Sequence, residues 1–337
     1  MNLSIWTYQL KLRHTFRIAH GSREVQPSMV VGLSGGSHTG YGEATATSYY
    51  GLTLRGMVNT LEQLRPIIEA AELVSPESFW EHMRPHLGEH PFVQCALDEA
   101  AHDLYARQKG VPLYQHWGLQ LRDLPLSNYT IGIGSIEEMV AKIKEQPWPV
   151  YKIKLGTEDD LAIIKALREH TDAIFRVDAN TAWTAEQTIA LAPELQKLGV
   201  EFIEQPLKVD DWEGMQEVFK YSTLPVIADE SCQVEQDIDR CQGYFHGVNI
   251  KLMKCGGLTP ARRMIQRAKT LGMKVMVGCM TESSVGISAI AHLLPMLDYV
   301  DMDGALLLKE DIATGVCLDQ GVVQYVEKPG TGVELIK

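Results

Sequence analysis

The first third of the chain shows two periodic patterns of apolar and polar residues, one typical of strands and one typical of helices. Residues 3–10 and 29–33 alternate or run apolar over the length of a strand. Residues 54–87 and 92–109 instead carry apolar side chains at helical spacing, and a break at Ser75-Pro76 divides the first of these stretches. The mixture predicts an α+β unit in which strands come first and helices follow.

A different pattern begins at about residue 126. Short apolar runs of strand length recur, each closes on a polar residue, and successive closing residues lie 22 to 28 positions apart. Helical stretches such as 185–198 and 260–272 separate the runs. Eight strand–helix units of similar length predict a (β/α)8-type barrel, whose functional residues lie at the carboxyl ends of the strands. The closing residues are Thr130, Lys154, Asp178, Glu204, Asp229, Lys251, Cys279 and Asp303.

These patterns predict an α/β chain of two domains. The α+β domain is expected at residues 1–120 and the barrel at residues 121–309. The tail, residues 310–337, follows the last barrel unit and contains Pro329 and Gly330. We expect it to return to the amino-terminal domain.

Composition narrows the choice of partners and compartment. The 337 residues include 43 acidic and 31 basic side chains, a net charge of −12, which argues against nucleic acid or an anionic membrane as partner. No run of about 18 apolar residues occurs, and the amino terminus lacks the apolar centre of a signal peptide. A cytoplasmic location is therefore expected, with six scattered cysteines as reduced thiols. The sequence leaves open whether the protein forms a homo-oligomer.

Three acidic residues close consecutive predicted strands. Asp178, Glu204 and Asp229 would converge at one end of the barrel, where buried carboxylates repel one another strongly. One such residue alone is more often a helix cap or a surface charge. Three at regular intervals favour a divalent cation, and their hard oxygen atoms favour magnesium (Mg2+) over zinc.

Three lysines are expected to face the same space. Lys152 and Lys154 lie two positions apart on one strand, so both point to one face, and Lys251 closes a strand across the barrel. A single lysine there could equally extend into solvent. A partly desolvated lysine near another cation can have its pKa lowered from about 10.4 towards roughly 7–8, which makes it a usable base.

Lysines and a metal together indicate proton transfer at a carbon next to a carboxylate. One lysine would remove the α-proton while the metal stabilises the negative charge that forms. A second lysine that returns a proton to the opposite face gives racemisation or epimerisation. Expulsion of a leaving group gives elimination instead.

Five segments carry a resemblance to a known family. The chain resembles the enolase superfamily, in its muconate-lactonizing subgroup, over most of its length. The resemblance implies magnesium, a lysine base, and an amino-terminal capping domain that the carboxyl-terminal tail completes. The segments are KIK at 152–154, DAN at 178–180, EQP at 204–206, ADES at 228–231 and NIKLMKCGG at 249–257.

Within that subgroup the chain is most similar to dipeptide epimerases, which are isomerases. Asp301 and Asp303, two positions apart after the eighth predicted strand, would need a cationic partner such as the α-ammonium of a dipeptide. The segment GCMTES at 278–283, with Cys279 and Met280, resembles the seventh-strand loop of these enzymes, and Thr130 matches a threonine near their substrate.

Other functions stay open beside this one. N-acylamino acid racemases, o-succinylbenzoate synthases and muconate cycloisomerases share the lysine and metal layout, but their substrates give Asp301 and Asp303 no ammonium to bind. A binding protein without catalysis would not need three inward lysines. Isotope exchange at an α-carbon separates that class from every enzyme.

The expected substrate side chain rests on one segment. In the subgroup, a mobile loop of the capping domain closes over the barrel, and here it would span residues 17–24. IAHGSR in this segment resembles the IARGSR of some Ala-Glu epimerases, although His20 replaces an arginine. Arg23 could pair with a glutamate side chain through a bidentate contact. The resemblance therefore favours L-Ala-D/L-Glu as the substrate, with His20 and Arg23 in contact with it.

Overall fold

An antiparallel sheet opens the chain in the computed structural model, which describes residues 1–18 and 21–336. Strand β1 pairs with β2, and β2 pairs with β3. Gly40 and Gly42 of β3 lie against the helix Pro91–Lys109, because a Cβ atom there would come within 2.2 and 2.1 Å of the carbonyl oxygens of Ala100 and Ala96. The strands are β1 (Asn2–Ile18), β2 (Gly21–Gly35) and β3 (His38–Thr45).

Four helices follow a short 3-10 helix at Ser48–Tyr50 and complete the amino-terminal part. The predicted break at Ser75-Pro76 is real, since the Ser75 side chain accepts a hydrogen bond from the amide of Ser78 and caps the second helix. The third helix is buried on nearly all sides because it lies between the sheet and the barrel. The helices are α1 (Leu54–Ala70), α2 (Pro76–Leu87), α3 (Pro91–Lys109) and α4 (Leu113–His116).

Eight parallel strands form the second sheet in sequence order. An isolated parallel bridge between Ser127 and Val300 joins the two edge strands and closes the ring. The predicted (β/α)8-type fold class is thereby confirmed. The strands are β4 (Tyr129–Ile131), β5 (Val150–Lys154), β6 (Ile174–Asp178), β7 (Val200–Glu204), β8 (Val226–Ala228), β9 (Gly247–Ile250), β10 (Lys274–Gly278) and β11 (Tyr299–Asp301).

Helices alternate with these strands, and several begin at capping boxes that the sequence carries. Ser135 and Thr184 each accept a hydrogen bond from the third residue of the helix that they cap. The helices are α5 (Ile136–Glu145), α6 (Asp160–Arg168), α7 (Ala185–Lys197), α8 (Trp212–Tyr221), α9 (Glu235–Cys241), α10 (Leu252–Cys255), α11 (Leu258–Thr270) and α12 (Ser284–Ala291). Within residues 1–18 and 21–336, no helix combines the length and the apolar character that crossing a bilayer requires.

The tail contacts helix α3 of the amino-terminal part. The amide of Thr331 donates to Asp103, and the guanidinium of Arg107 donates to the carbonyl of Val333. Two 3-10 helices, Leu294–Met296 and Gly304–Leu307, precede it. Its strands pair antiparallel, the first with the fourth and the second with the third. They are β12 (Ala313–Thr314), β13 (Cys317–Asp319), β14 (Val322–Gln324) and β15 (Glu334–Leu335).

Residues 34–40 include three glycines, but most of them belong to β2 and β3, and only residues 36 and 37 form the turn. Of the loop expected at residues 17–24, residues 17, 18 and 21–24 belong to β1 and β2, where Phe16 pairs with Arg23 and Arg17 with Ser22. Residues 19 and 20 lie outside the described residues.

Candidate active site

Three carboxylates converge at the carboxyl end of the barrel. Asp178 ends β6, Glu204 ends β7 and lies beside Asp178 in the strand register, and Asp229 directly follows β8. All three are buried, and each offers an oxygen atom within 4.8 Å of the other two. The convergence of these three carboxylates, which their spacing in the sequence predicted, is therefore present in the structure.

Burial and neighbouring lysines act on these carboxylates in opposite directions. Burial raises the pKa of Glu204 to about 7, even though Lys152 opposes the shift. Burial also acts to raise the pKa of Asp178 and Asp229, but the lysines beside them hold both pKa values below the ordinary range. Nearby positive charge is therefore what keeps Asp178 and Asp229 ionised.

Two of the expected lysines come from strand β5. The Nζ atom of Lys152 lies 2.8 Å from Oδ2 of Asp301, 3.0 Å from Oε1 of Glu204 and 3.2 Å from Oδ2 of Asp178. The Nζ atom of Lys154 lies 2.6 Å from Oδ2 of Asp178. Burial lowers the pKa of Lys152, but Asp301 and Glu204 raise it well above its ordinary value.

Lys251 follows β9, and Lys254 lies on the short helix α10. The Nζ atom of Lys251 is 2.7 Å from Oδ2 of Asp229, and that of Lys254 is 2.6 Å from Oδ1 of the same carboxylate. Burial lowers the pKa of Lys251, yet Asp229 raises it above its ordinary value. For Lys152 and Lys251 this direction is opposite to the lowering expected beside another cation, because carboxylates lie closer.

Asp301 and Asp303 differ in their contacts. Asp301 accepts a hydrogen bond from Asn128 at 2.8 Å on Oδ1 and one from Lys152 on Oδ2, and Lys152 holds its pKa at about 2 although burial acts to raise it. Asp303 accepts from the backbone amide of Thr130 at 2.5 Å, and burial together with Asp301 raises its pKa to about 7. Thr130 thus orients Asp303, and it lies inside β4 rather than at its end.

One cavity joins these groups to the amino-terminal part. Its interior volume is about 110 Å3, and it opens to solvent. The hairpin and the segment after β3 provide one wall, and the barrel provides the other. Its walls include Phe16, Arg23, Thr47, Tyr49, Tyr50, Thr130, Lys152, Lys154, Asn180, Asp229, Glu230, Lys251, Cys279, Met280, Thr281, Asp301, Asp303 and Leu307.

The structure brings most of the expected contact residues to this cavity. Cys279 and Met280 line it from the end of β10, and both are half-buried. The guanidinium of Arg23 lies 5.7 Å from the centroid of the Phe16 ring and donates to the side chain of Gln26. His20, the other expected contact, lies outside the described residues.

Several residues of the cavity escaped the sequence reasoning. Asn180 and Glu230 stand inside the DAN and ADES segments, next to metal-type carboxylates, and that adjacency was an available signal. Lys254 stands three residues after Lys251, one helical turn along α10. Tyr49 and Tyr50 carry no such signal, because a 3-10 helix of three residues has no readable period.

The donor set at the barrel end fits magnesium. Three buried carboxylate oxygens within 4.8 Å of one another match the hard ligands that this ion prefers. Asn180 Oδ1 and Glu230 Oε2 lie beside this set, are buried, and accept no hydrogen bond from any residue that the structure describes. Asp178, Glu204 and Asp229 are therefore the residues that would hold the ion.

Comparisons with known proteins agree on one family. The family model described as Enolase C-terminal domain-like matches residues 135–337. An L-Ala-D/L-amino acid epimerase of Flavobacterium johnsoniae is 57% identical over 336 residues, which cover 100% of both chains. An L-Ala-D/L-Glu epimerase of Bacteroides thetaiotaomicron is 37% identical, over 99% of this chain and 88% of the relative.

A solved structure shows the same likeness in three dimensions. The dipeptide epimerase of Enterococcus faecalis V583, complexed with Mg and the dipeptide L-Leu-L-Tyr, is 32% identical in sequence. It superposes with a TM-score of 0.93 over 98% of each chain. The likeness covers the barrel and the amino-terminal part together.

Proposed function

The chain belongs to the enolase C-terminal domain-like family, and we propose that it is a magnesium-dependent dipeptide epimerase. One observation carries this proposal. Lys154 and Lys251 line one cavity from β5 and from the end of β9. These strands are four apart in a closed ring of eight, so the two lysines stand on opposite sides of whatever the cavity holds.

The two lysines act as the acid and base of the proposed reaction. The neutral amine of one lysine takes the α-proton of the second residue of the dipeptide, and the ammonium of the other returns a proton to the opposite face. Lys152 is proposed to hold the substrate carboxylate. Magnesium bound by Asp178, Glu204 and Asp229 supplies positive charge against the charge that develops as the α-proton leaves.

Asp303 and Asp301 are proposed to bind the α-ammonium of the dipeptide. Both carboxylates line the cavity, and Asp301 pairs with Lys152, whereas Asp303 forms no ion pair with any described residue. The substrates of an N-acylamino acid racemase, an o-succinylbenzoate synthase or a muconate cycloisomerase would offer no ammonium to Asp303. Recognition of a free ammonium therefore supports the dipeptide over those three alternatives.

For the substrate we propose dipeptides that begin with L-Ala. L-Ala-D/L-Glu comes first, since Arg23 lines the same cavity and offers a cation to a distal carboxylate. The F. johnsoniae relative, at 57% identity, is named for L-Ala dipeptides with a wider range of second residues. That name extends the proposed substrates beyond glutamate.

We propose that residues 1–120, with the tail 310–337, form a capping domain over a barrel at residues 121–309. The contacts of the tail with α3 and the shared cavity support this division. We also propose a cytoplasmic enzyme, free or as a homo-oligomer, that needs neither nucleic acid nor membrane. The net charge of −12 supports the exclusion of nucleic acid.

Epimerisation in deuterium oxide tests the proposal. L-Ala-L-Glu, L-Ala-L-Leu and L-Ala-L-Lys are incubated with the protein, and chirality and deuterium at the α-carbon of the second residue are followed by NMR and mass spectrometry. We expect inversion with deuterium incorporation, loss of both after chelation, and recovery with magnesium. N-acetyl-L-Ala-L-Glu serves as the matched control without an ammonium group.

Three results would each contradict one part of the proposal, namely the enzyme assignment, the substrate class or the metal. Absence of exchange with every dipeptide would remove the enzyme assignment. Equal turnover of free and N-acetylated dipeptides would favour an acylamino acid racemase. Full activity in rigorously metal-free protein would remove magnesium from the mechanism.

A further inference from the structure

Two acceptor atoms on side chains that line the cavity have no hydrogen-bond donor among the described residues. Asn180 is 4% exposed and Glu230 is 8% exposed, and both side chains line the cavity. Within residues 1–18 and 21–336, neither Oδ1 of Asn180 nor Oε2 of Glu230 accepts a hydrogen bond. Buried polar atoms are rarely left in this state unless a ligand or an ordered water completes them.

Both side chains are held next to the carboxylate cluster. The amide of Asn180 donates to Oδ1 of Asp178 at 2.9 Å, and the side-chain amide of Asn180 reaches Oε1 of Glu230 at 3.4 Å. Glu230 directly follows Asp229 in the chain. These contacts use neither Oδ1 of Asn180 nor Oε2 of Glu230.

The backbone at Asn180 and at the next residue adopts a strained conformation. Asn180 has φ of +43° and Thr181 has φ of +68°, a left-handed conformation that side chains other than glycine adopt rarely. Asparagine tolerates it better than most residues. Such strain persists where the surrounding structure maintains it, and it clusters at binding sites.

Glu230 lies outside the inner ligand set. Among the described residues, the group of acids with oxygens within 4.8 Å of one another at this position comprises Asp178, Glu204 and Asp229. Magnesium demands six ligands in octahedral array and gives up its waters reluctantly, so three carboxylates leave positions for water and substrate. Water bound to the ion needs acceptors for its protons.

We propose that Asn180 and Glu230 accept hydrogen bonds from water bound to the magnesium ion, and thereby set its affinity and its hydration. The inference rests on the metal site of the proposed function. Asn180 supplies an amide oxygen from the segment after β6, and Glu230 supplies a carboxyl oxygen from the segment after β8. Both act as positioning residues, since they touch the ion only through water.

Magnesium binding without substrate tests the inference. Isothermal titration calorimetry is carried out on the full chain and on Asn180→Gly, Asn180→Asp, Glu230→Met and Glu230→Gln. Glycine suits the positive φ at position 180, so Asn180→Gly removes the acceptor without adding strain. We expect Asn180→Gly and Glu230→Met each to weaken binding by about 10- to 100-fold. Asn180→Asp and Glu230→Gln keep an acceptor oxygen and should lose less.

Bound water is measured directly with manganese in place of magnesium. Proton relaxation of solvent water reports how long water stays on the ion, and we expect shorter residence in Asn180→Gly than in the wild type. Thr281→Val is the matched control, because Thr281 lines the same cavity from the segment after β10, whereas the three carboxylates stand at the ends of β6, β7 and β8. Its magnesium affinity and water residence should equal those of the wild type.

Each alternative role predicts a different result. A substrate contact would raise the KM for dipeptides in Asn180→Gly and leave magnesium affinity unchanged, which would overturn the inference. A purely structural role would lower the melting temperature with unchanged magnesium affinity, which would also overturn it. Wild-type protein that binds magnesium but epimerises no dipeptide would contradict the proposed function and leave the inference standing.

Discussion

At the scale of single residues, the cavity brings buried carboxyl groups and lysines together. Six carboxyl groups and four lysines lie in or beside it at the carboxyl end of the barrel, and the lysines pair with four of the carboxylates. The carboxylates are Asp178, Glu204, Asp229, Glu230, Asp301 and Asp303, and the lysines are Lys152, Lys154, Lys251 and Lys254. Burying unpaired charge is costly, so each of these groups depends on the others.

Replacing Lys251 by alanine should stop epimerisation. Loss of one member of an acid–base pair typically costs about 100- to 10,000-fold in rate. Lys154 should still exchange the α-proton of one stereoisomer with deuterium, without inversion. Chirality and deuterium content of the dipeptide, measured together, separate the two events.

The control for that experiment is Lys197→Ala, because Lys197 lies on the surface with 70% of its side chain exposed. It should epimerise at the wild-type rate. Inversion by Lys251→Ala at near the wild-type rate would disprove the two-base mechanism.

Replacing Asp303 by asparagine should raise the KM for dipeptides. A hydrogen bond between a carboxylate and an ammonium contributes about 1.5–3 kcal/mol, which corresponds to roughly 10- to 150-fold in KM. Steady-state kinetics with free and N-acetylated L-Ala-L-Glu give the comparison. The N-acetylated form, already a poor substrate, should lose little more, and an equal loss for both forms would exclude ammonium binding.

At the scale of elements, the hairpin between β1 and β2 brings Arg23 to the cavity. Arg23→Ala should lower kcat/KM for L-Ala-L-Glu by about tenfold, since a charge-assisted contact is lost. L-Ala-L-Leu should be unaffected in the same steady-state assay. A uniform loss for both dipeptides, or a wild-type preference for basic dipeptides, would remove Arg23 from recognition of the side chain.

The start of helix α12 is capped from another element. Glu43 of β3 accepts hydrogen bonds from the backbone and hydroxyl of Ser283 and from the backbone amide of Gly286. It is fully buried and also accepts from Ser28. A carboxylate at a helix amino terminus stabilises the helix through its free amides and its dipole. Glu43 thereby fastens the loop with Cys279 and Met280 to the amino-terminal sheet.

Glu43→Ala should lower the free energy of unfolding by about 2–4 kcal/mol, because a helix cap is lost and buried donors are left unpaired. Urea denaturation followed by circular dichroism measures the change. Glu89→Ala, at an exposed position, is the control and should stay within about 0.5 kcal/mol of the wild type. An equally small effect at Glu43 would show that the cap does not stabilise the fold.

At the scale of the whole molecule, buried acids make stability depend on pH. Burial, together with Glu43, raises the pKa of Glu282 to about 8, and burial raises that of Glu99 well above its ordinary value. Glu43 comes from β3, Glu99 from α3 and Glu282 from the loop before α12, while Lys251 opposes the shift at Glu282. The interface between the two parts of the molecule therefore concentrates carboxyl groups whose pKa burial raises.

Stability should fall as the pH rises from about 4.5 to about 8, the interval between the ordinary and the raised pKa of Glu282. A carboxyl group whose pKa is higher in the folded state stabilises the fold fully below its unfolded pKa, and this contribution is lost as the pH rises through about 8. Urea midpoints measured across this range test the sign. Glu282→Gln should flatten the dependence, and a wild type whose midpoint rises with pH would contradict it.

The sequence by itself determined the order of the barrel strands and the residues at their ends. Asp178, Glu204 and Lys154 could be found because each closes an apolar run, and the period of such runs is a local property of the chain. Parallel strands in sequence order then bring equivalent ends together, whatever the details of packing.

Only the tertiary structure decided the contacts between distant elements. Glu43 and Ser283 are 240 residues apart, and Asn128 and Asp301 are 173 apart. The partition of the two oxygens of Asp229 between Lys251 and Lys254 likewise has no trace in periodicity. Periodicity records which face of an element is buried, whereas the partner of a buried polar group depends on which other elements close around it.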